Sequence, residues 1–307
     1  MRRIFLIAVF CVSFVFSPLV QAQYAPDADA FLWKISKSGR PDSYLLGTIH
    51  VGRVDDVLPD AYRQALSRVS LLVVESDADR LSPEEAQAML RLMHDPRPLQ
   101  QTFGKRRVSA LQGVLAKGQE FIAFDDKTTV KPWALWLTVQ SQFSPKGYSH
   151  RYGIDNLLIQ TASTQGQTIL PLESIEPLHY FNALPEAAVI RALDGFRRHH
   201  QAFLQDEVNL LQDYRRQRAR KVWAEISNPA KQLRYFPRQD RALWHTLMYR
   251  QLLTKRNQQW LPTLIEVLPK QPTLVAVGAA HLFGEQGLIR RLRQVGYQVE
   301  AVNVPAF

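Results

Sequence analysis

The sequence contains a single cysteine, Cys11, among its 307 residues. One thiol cannot form an intramolecular disulfide and cannot supply the thiolates of a structural zinc cluster. Low-complexity tracts and short-period repeats are absent as well, and glycine and proline stand at 14 and 18 residues. With 46% apolar and 21% charged residues, the composition is typical of a globular protein and excludes collagen-like, coiled-coil and disordered chains.

Residues 1–22 have the three parts of a secretory signal peptide. Arg2 and Arg3 form a basic start, residues 4–16 form an apolar run, and a small-residue cleavage site ends at Ala22. The apolar run is too short for a spanning helix with proper flanks. We therefore predict cleavage near Ala22 and a periplasmic protein, with an uncleaved N-terminal anchor as the alternative.

Positive charge is concentrated in one stretch of the chain. The sequence has 38 basic and 28 acidic residues, a net charge of +10, and seven of its arginines lie between Arg191 and Arg220. The functional interpretation is peripheral contact with an anionic surface, such as a membrane or a polysaccharide. The alternative is a solvated helix face in a basic protein. Predicted export and the lack of a recognised binding motif argue against nucleic acid.

Hydrophobic spacing predicts an α/β protein with a central mixed β-sheet flanked by helices. Residues 23–307 are expected to form one domain, with a largely helical insertion at about 180–267. Strands are predicted at 31–35, 44–49, 71–75, 168–172, 274–277 and 297–304, and helices at 61–69, from 82 onward, at 132–139 and at 287–294.

A histidine or a glutamate follows each of four apolar strands. His50 and His281 each close a Gly-x-x-His segment, and Glu75 and Glu173 come directly after their strands. The carboxyl ends of strands in an α/β sheet open into the crevice where ligands bind. Two imidazoles and two carboxylates at one edge predict either a divalent-metal site or an acid–base site.

Each of these residues also has a structural interpretation. A histidine after a strand is often a hydrogen-bonded packing residue, and either glutamate can be an ion-paired acid. No His-Glu-x-x-His helix is present, which excludes a thermolysin-type zinc site by pattern. Hydrophobic periodicity alone therefore does not decide between a hydrolytic site and a crevice that is merely polar. The other histidines outside the arginine-rich stretch are predicted to be surface or packing residues: His94, His150, His179 and His245.

The two Gly-x-x-His blocks resemble those of the TraB/GumN family, which includes the animal Tiki proteins. The first block is the run 44–52 followed by the strand that ends at Glu75, and the second is the run 275–288 followed by Gly-Tyr-Gln-Val at 296–299. Between the blocks, further segments follow the order of the family: Lys131–Trp133, Gly153–Asp155, Leu172–Glu173, and Arg256–Asn257 with Trp260. The resemblance covers about residues 31–304.

This resemblance implies a sheet flanked by helices with the site at the sheet edge. Tiki proteins are described as metal-dependent proteases that need both histidines and nearby acids. By position, His50, His281, Glu75 and Glu173 are then the expected metal ligands and catalytic groups, with Glu75 as the favoured general base. The expected cofactor is a divalent cation, namely manganese, cobalt or zinc.

Three further residues carry hypotheses about support for this site. Asp155 or Glu173 is expected to orient a ligand imidazole, although Asp155 has a helix-capping interpretation too. Arg256 and Asn257 are expected either to bind substrate and stabilise an oxyanion, or to pair with a strand-end acid as structural support.

The sequence therefore predicts an exported metal-dependent hydrolase that acts on a peptide or small-molecule substrate. The favoured class of hydrolase is a peptidase. Two alternatives remain. One is a metal-free esterase-like hydrolase in which a histidine acts directly as the base. The other is a non-catalytic protein that binds a peptide or a haem-like ligand in the same crevice.

Overall fold

The computed structural model describes residues 25–77, 81–116 and 124–307. Six strands form one sheet in the order β6-β4-β7-β2-β1-β8, and two very short strands form a separate pair, β3 with β5. In chain order the strands are β1 (Leu32–Ser36), β2 (Ser43–Thr48), β3 (Gly52–Arg53), β4 (Leu71–Val74), β5 (Tyr148–Ser149), β6 (Thr168–Pro171), β7 (Thr273–Gly278) and β8 (Gln298–Ala301).

The middle of the sheet is parallel. β6, β4, β7 and β2 are parallel neighbours, whereas β1 pairs antiparallel with both β2 and β8. Strands buried on both faces read as continuous apolar runs, and every residue of β2 and β4 is buried accordingly. The predicted α/β class with a mixed, helix-flanked sheet is confirmed, and the strands predicted at 31–35 and 44–49 form the antiparallel pair β1 and β2.

Helices connect the parallel strands and cover the sheet. A π-helical segment, Thr246–Lys255, joins α10 directly to α11. The helices are α1 (Asp60–Ser67), α2 (Pro83–Met93), α3 (Lys105–Leu115), α4 (Pro132–Gln142), α5 (Ile154–Thr164), α6 (Glu176–Asn182), α7 (Glu186–Arg215), α8 (Ala219–Ile226), α9 (Pro229–Gln232), α10 (Arg241–His245), α11 (Arg256–Val267) and α12 (Leu288–Gln294).

Two hydrophobic clusters form the interior. The first surrounds the sheet, and the second is built entirely from helices and loops. The predicted insertion at 180–267 contributes to both clusters, since Tyr214 and Trp260 pack with the sheet while Trp244 packs in the helical cluster. Residues between 99 and 143 complete the helical cluster. Residues of the predicted insertion therefore belong to both clusters, so neither end of the insertion separates one cluster from the other.

Aspartates neutralise much of the arginine-rich stretch. Among the described residues, five of its seven arginines form ion pairs, so the net charge that this surface presents is smaller than the sequence indicates. Contact with an anionic partner stays a prediction that depends chiefly on Arg198 and Arg216. The pairs are Arg191–Asp240, Arg197–Asp194, Arg215–Asp56, Arg218–Asp213 and Arg220–Asp29.

Within the described ranges, no helix is both long and apolar enough to cross a membrane. The predicted signal peptide, residues 1–22, and its cleavage site at Ala22 lie outside the described residues. Export therefore stays a prediction from the sequence.

Gly47 lies where β2 passes over the turn that follows β7. A Cβ at this position would lie 2.9 Å from Leu282 Cδ2 and 3.0 Å from Ala279 Cα. Because the second atom belongs to the backbone, Gly47→Ala must push the strand and the turn apart. We expect the variant to lose about 1–3 kcal/mol of unfolding free energy, measured by urea denaturation.

Gly113→Ala is the matched control, because Gly113 lies in α3 and a Cβ there has no atom within 4 Å. We expect this variant to gain about 0.4–1 kcal/mol, since alanine restricts the unfolded chain. An unchanged stability of Gly47→Ala would contradict the close approach of strand and turn.

Glu207 is a half-buried acid of α7 whose enclosed Oε2 has no hydrogen-bond partner among the described residues. Burial raises the pKa of Glu207 to about 7. The folded state therefore holds this proton where the unfolded chain has released it, and stability falls as the pH rises from about 4.5 to 7. We expect Glu207→Gln to stabilise the protein by roughly 2–3 kcal/mol at pH 8. Equal gains in urea denaturation at pH 4 and pH 8 would contradict this assignment.

Candidate functional site

The four strand-end residues meet at one edge of the sheet. His50, Glu75, Glu173 and His281 follow β2, β4, β6 and β7, and these strands are parallel neighbours. The backbone continues the pairing beyond the strands, because the Glu173 amide donates to the Glu75 carbonyl at 3.0 Å. The backbones of the two glutamates therefore lie side by side. Two negative charges this close together need a compensating cation.

Arg256 supplies that cation from the first turn of α11. Its Nη2 donates to Glu75 Oε2 at 2.5 Å and to Glu173 Oε1, and its Nε donates to Glu173 at 2.9 Å. Trp260, one turn further along the helix, donates its indole N–H to Glu173 Oε2 at 3.0 Å. The guanidinium carbon lies 4.6 Å from the Trp260 ring centroid. One planar cation thus binds two carboxylates and stacks on an aromatic ring.

Asn257 fixes the orientation of His281. The Asn257 side-chain amide donates to the carbonyls of His281, at 3.1 Å, and Gln286, at 2.8 Å, so its Oδ1 must face the imidazole. His281 Nδ1 therefore carries the proton and donates to Asn257 Oδ1 at 2.7 Å. This leaves His281 Nε2 as an acceptor, 3.2 Å from Arg256 Nη1. The imidazole is only 6% exposed and is packed 4.5 Å from the Trp260 ring.

Asp155 fixes the orientation of His50 in the same way. A carboxylate only accepts hydrogen bonds, so His50 Nδ1 donates to Asp155 Oδ2 at 2.8 Å, and Nε2 is the nitrogen that gains or loses a proton. The start of α5 is tied to this loop, because the Ile154 amide donates to the Ile49 carbonyl at 2.9 Å. The His50 side chain is 60% exposed. It is therefore the histidine of the site that a ligand can reach from solvent.

Gly278 marks the point on which the site converges. A Cβ on this glycine would lie 3.1 Å from Glu75 Oε1, 3.7 Å from His50 Nε2 and 3.8 Å from His281 Cδ2. The Gly278 amide also donates to Glu75 Oε1 at 2.6 Å. Glycine thus keeps open a space of about one methyl group that is bordered by both imidazoles and one carboxylate.

Burial and charge give the two histidines different protonation behaviour. Burial lowers the pKa of His281 to about 4, against the opposing charge of Glu75. The neighbouring Asp155 carboxylate raises the pKa of His50 above its ordinary value. His281 is therefore a neutral hydrogen-bond acceptor near pH 7, whereas His50 has enhanced affinity for a proton.

The two glutamates also differ. Burial by itself raises the pKa of Glu75, but His281 and Arg256 outweigh it and hold the pKa well below its ordinary range. Burial raises the pKa of Glu173 in spite of its hydrogen bonds to Arg256. Glu75 is thus a firmly ionised group beside the open space, and Glu173 is a structural partner of Arg256.

The placement of Glu75 and Glu173 does not fit the expected set of four metal ligands. Arg256 binds both carboxylates, and the described residues contain no group of three or more His, Cys, Asp or Glu arranged to hold a metal ion. The histidines fit better, because each has its Nδ1 engaged and would bind a metal through Nε2, as in histidine ligands supported by a carboxylate or amide. A divalent cation between them would have to displace Arg256 Nη1, which lies 3.2 Å from His281 Nε2.

All seven residues singled out in the sequence lie in this one network. Asp155 contacts His50 and not the helix amides, so the capping interpretation has no support among the hydrogen bonds of α5. Asn257 is only 1% exposed and contacts the His281 turn. The sequence analysis gave Trp260 no role at the site, although its indole N–H donates to Glu173. The signal was its spacing of four residues from Arg256, which places both side chains on one helix face.

Fold and site together define the class of protein: an α/β sheet whose parallel strands end in two histidines and two arginine-bound glutamates. The chain belongs to the TraB/PrgY/gumN family, which it matches over residues 31–301.

Two relatives of similar length support this assignment. The chain is 26% identical over 264 residues to the uncharacterized protein YbaP of Shigella flexneri, a match that covers 84% of this chain and 90% of the relative. It is 25% identical to the uncharacterized protein YbaP of Escherichia coli K12 over the same shares of both chains.

Removal of Arg256 leaves two buried carboxylates without their cation. We expect Arg256→Gln to lower the unfolding free energy by about 3–5 kcal/mol, measured by urea denaturation at pH 7. Arg63→Gln is the control, because Arg63 pairs with Asp60 on the exposed surface and contributes about 0–1 kcal/mol. Similar small losses in both variants would show that the site does not depend on the Arg256 charge.

Proposed function

We propose that this site hydrolyses a carbonyl compound, an ester or a peptide bond, with His50 as the general base. The observation that carries the proposal is the convergence of His50 Nε2, Glu75 Oε1 and His281 on the open space above Gly278. A base, a fixed negative charge and a neutral imidazole beside one open space are typical of acid–base catalysis.

In the proposed reaction, His50 acts in its neutral form, which becomes populated as the pH rises toward its pKa of about 9, and a water molecule in this space gives a proton to Nε2. The water oxygen forms a bond to the substrate carbonyl carbon, and the C=O electron pair moves to oxygen. The resulting imidazolium then donates its proton to the leaving nitrogen or oxygen as the carbon–heteroatom bond breaks. Water is thereby added across the scissile bond, and His50 returns to its neutral form.

Asp155 and Glu75 support this proton transfer from two sides. Asp155 holds the Nδ1–H tautomer, so Nε2 is the basic atom, and it stabilises the imidazolium once it forms. Glu75 adds a second negative charge beside the open space near Gly278, since its pKa lies well below its ordinary range. Both groups favour the protonated state of His50 that the reaction passes through.

Arg256 has a different part in the proposal. Its guanidinium keeps the two glutamates ionised and close, and its Nη1 faces His281 Nε2 at 3.2 Å. Because the side chain is only 13% exposed, Arg256 acts as a positioning residue for the reacting groups. Asn257 positions His281 in the same sense.

The metal-dependent version of the proposal uses the same two histidines. His50 and His281, with Glu75, would hold a manganese, cobalt or zinc ion, and such an ion would lower the pKa of a bound water. The engaged Nδ1 atoms of both histidines favour this version, because Nε2 is then the metal-binding atom, whereas Arg256 Nη1 at 3.2 Å from His281 Nε2 opposes it. The export predicted from residues 1–22 would place either activity in the periplasm.

His50→Ala should lower kcat/KM about 10²–10⁴-fold, because it removes the base. Asp155→Asn should also lower it, since the tautomer is no longer held. The assay is turnover of p-nitrophenyl acetate and of a fluorogenic peptide panel. His179→Ala is the matched control, because His179 is exposed on α6 and makes none of the described hydrogen bonds of the site. Unchanged turnover in His50→Ala would refute the proposal, and no turnover by the wild type would favour a non-catalytic binding protein.

Metal content separates the two versions. We expect purified wild-type protein to hold less than 0.1 equivalent of Mn, Co or Zn by elemental analysis, and to keep its activity after dialysis against EDTA. A stoichiometric ion that disappears in His50→Ala and in His281→Ala, together with loss of activity on chelation, would support the metal-dependent version instead.

A further inference from the structure

A cavity of about 280 Å³ opens beside His281, on the side of the site that faces the helical cluster. Its wall includes His281 and Ala280 from the turn after β7 and Met248, Leu252 and Leu253 from the π-helical segment. The cavity therefore shares His281 with the candidate site. Nothing in the proposed reaction uses it.

The position of the cavity follows from the two hydrophobic clusters. Ile226 packs against the cluster around the sheet, whereas Leu233, Met248 and Leu252 belong to or pack against the helical cluster. Each cluster presents apolar side chains to the gap between them, and the gap is not filled by either. Space lined in this way favours an apolar group from elsewhere, because its entry removes apolar surface from water.

The chemistry of the wall excludes a charged occupant. None of the described residues that line the cavity is Asp, Glu, Lys or Arg. Its polar members include Tyr249 and His245, whose rings stack with centroids 4.9 Å apart. Tyr249 donates its hydroxyl to the Ile226 carbonyl at 3.4 Å. A carboxylate, a phosphate or an ammonium group would find no counter-charge there.

The volume sets the size of the occupant. A cavity of about 150 Å³ lined by apolar side chains accommodates benzene, and ligand pockets for drug-sized molecules start at about 300 Å³. A volume of about 280 Å³ therefore suits one aromatic ring or an alkyl chain of several carbons, and not a whole folded partner.

We propose that this cavity binds the uncharged apolar group adjacent to the scissile carbonyl of the substrate, and so makes the enzyme selective for apolar acyl compounds. The inference rests on the proposed hydrolysis for its orientation, because His281 is shared by the cavity and the reacting groups. The occupancy of the cavity itself is measurable without any turnover.

The kinetic test compares p-nitrophenyl acetate, butyrate and hexanoate. We expect kcat/KM of the wild type to rise about threefold for each added methylene group, as each buries apolar surface. Met248→Trp fills the cavity and should bring the hexanoate-to-acetate ratio close to one. Thr246→Trp is the matched control, because Thr246 is exposed on the opposite face of the same segment and should leave the ratio at its wild-type value.

The binding test uses His50→Ala protein with ¹³C-methyl methionine, since the chain has only four methionines. We expect hexanamide to shift the Met248 methyl resonance and to leave Met93, which does not line the cavity, unchanged. Acetamide at the same concentration should shift neither.

The two tests fail separately. Ester turnover with equal rates for all chain lengths and no Met248 shift would overturn the cavity assignment and leave the hydrolase proposal standing. A Met248 shift with no turnover of any ester or peptide would support the cavity and overturn the hydrolase proposal.

Discussion

The structure depends on one buried cation at the edge of the sheet. β4 and β6 are adjacent and parallel, so the glutamates that follow them are brought side by side in a place where water is scarce. Two such carboxylates repel each other unless a positive charge lies between them. Arg256 meets this need and, through the same guanidinium, contacts His281. The helix that carries it is thereby tied to three strands.

That arrangement places the two histidines in different environments. His281 is enclosed by Trp260, Asn257 and Arg256, which hold it neutral and immobile. His50 stands at the solvent side with Asp155 behind it. A buried, fixed imidazole and an accessible, strongly basic one make an asymmetric pair, and asymmetry of this kind is what a directional proton transfer requires.

The position of the site between two hydrophobic clusters gives it a second property. The sheet supplies the reacting groups at its edge, and the helical cluster supplies an uncharged wall beside them. The segment Thr246–Lys255 links the two, since it lines the cavity and continues directly into the helix that begins with Arg256. The cavity wall and Arg256, which holds the glutamates at the sheet edge, are thus adjacent parts of one continuous helical stretch.

The sequence by itself determined the strands and the residues at their ends, because apolar runs followed by His50, Glu75, Glu173 and His281 are local patterns. It also identified the family through its two Gly-x-x-His blocks. Only the tertiary structure decided that Arg256 binds both glutamates, that Trp260 completes this contact, and which nitrogen of each histidine is basic. Those features depend on contacts between residues 24 to 181 positions apart, and local periodicity carries no information about which distant side chains will share a hydrogen bond.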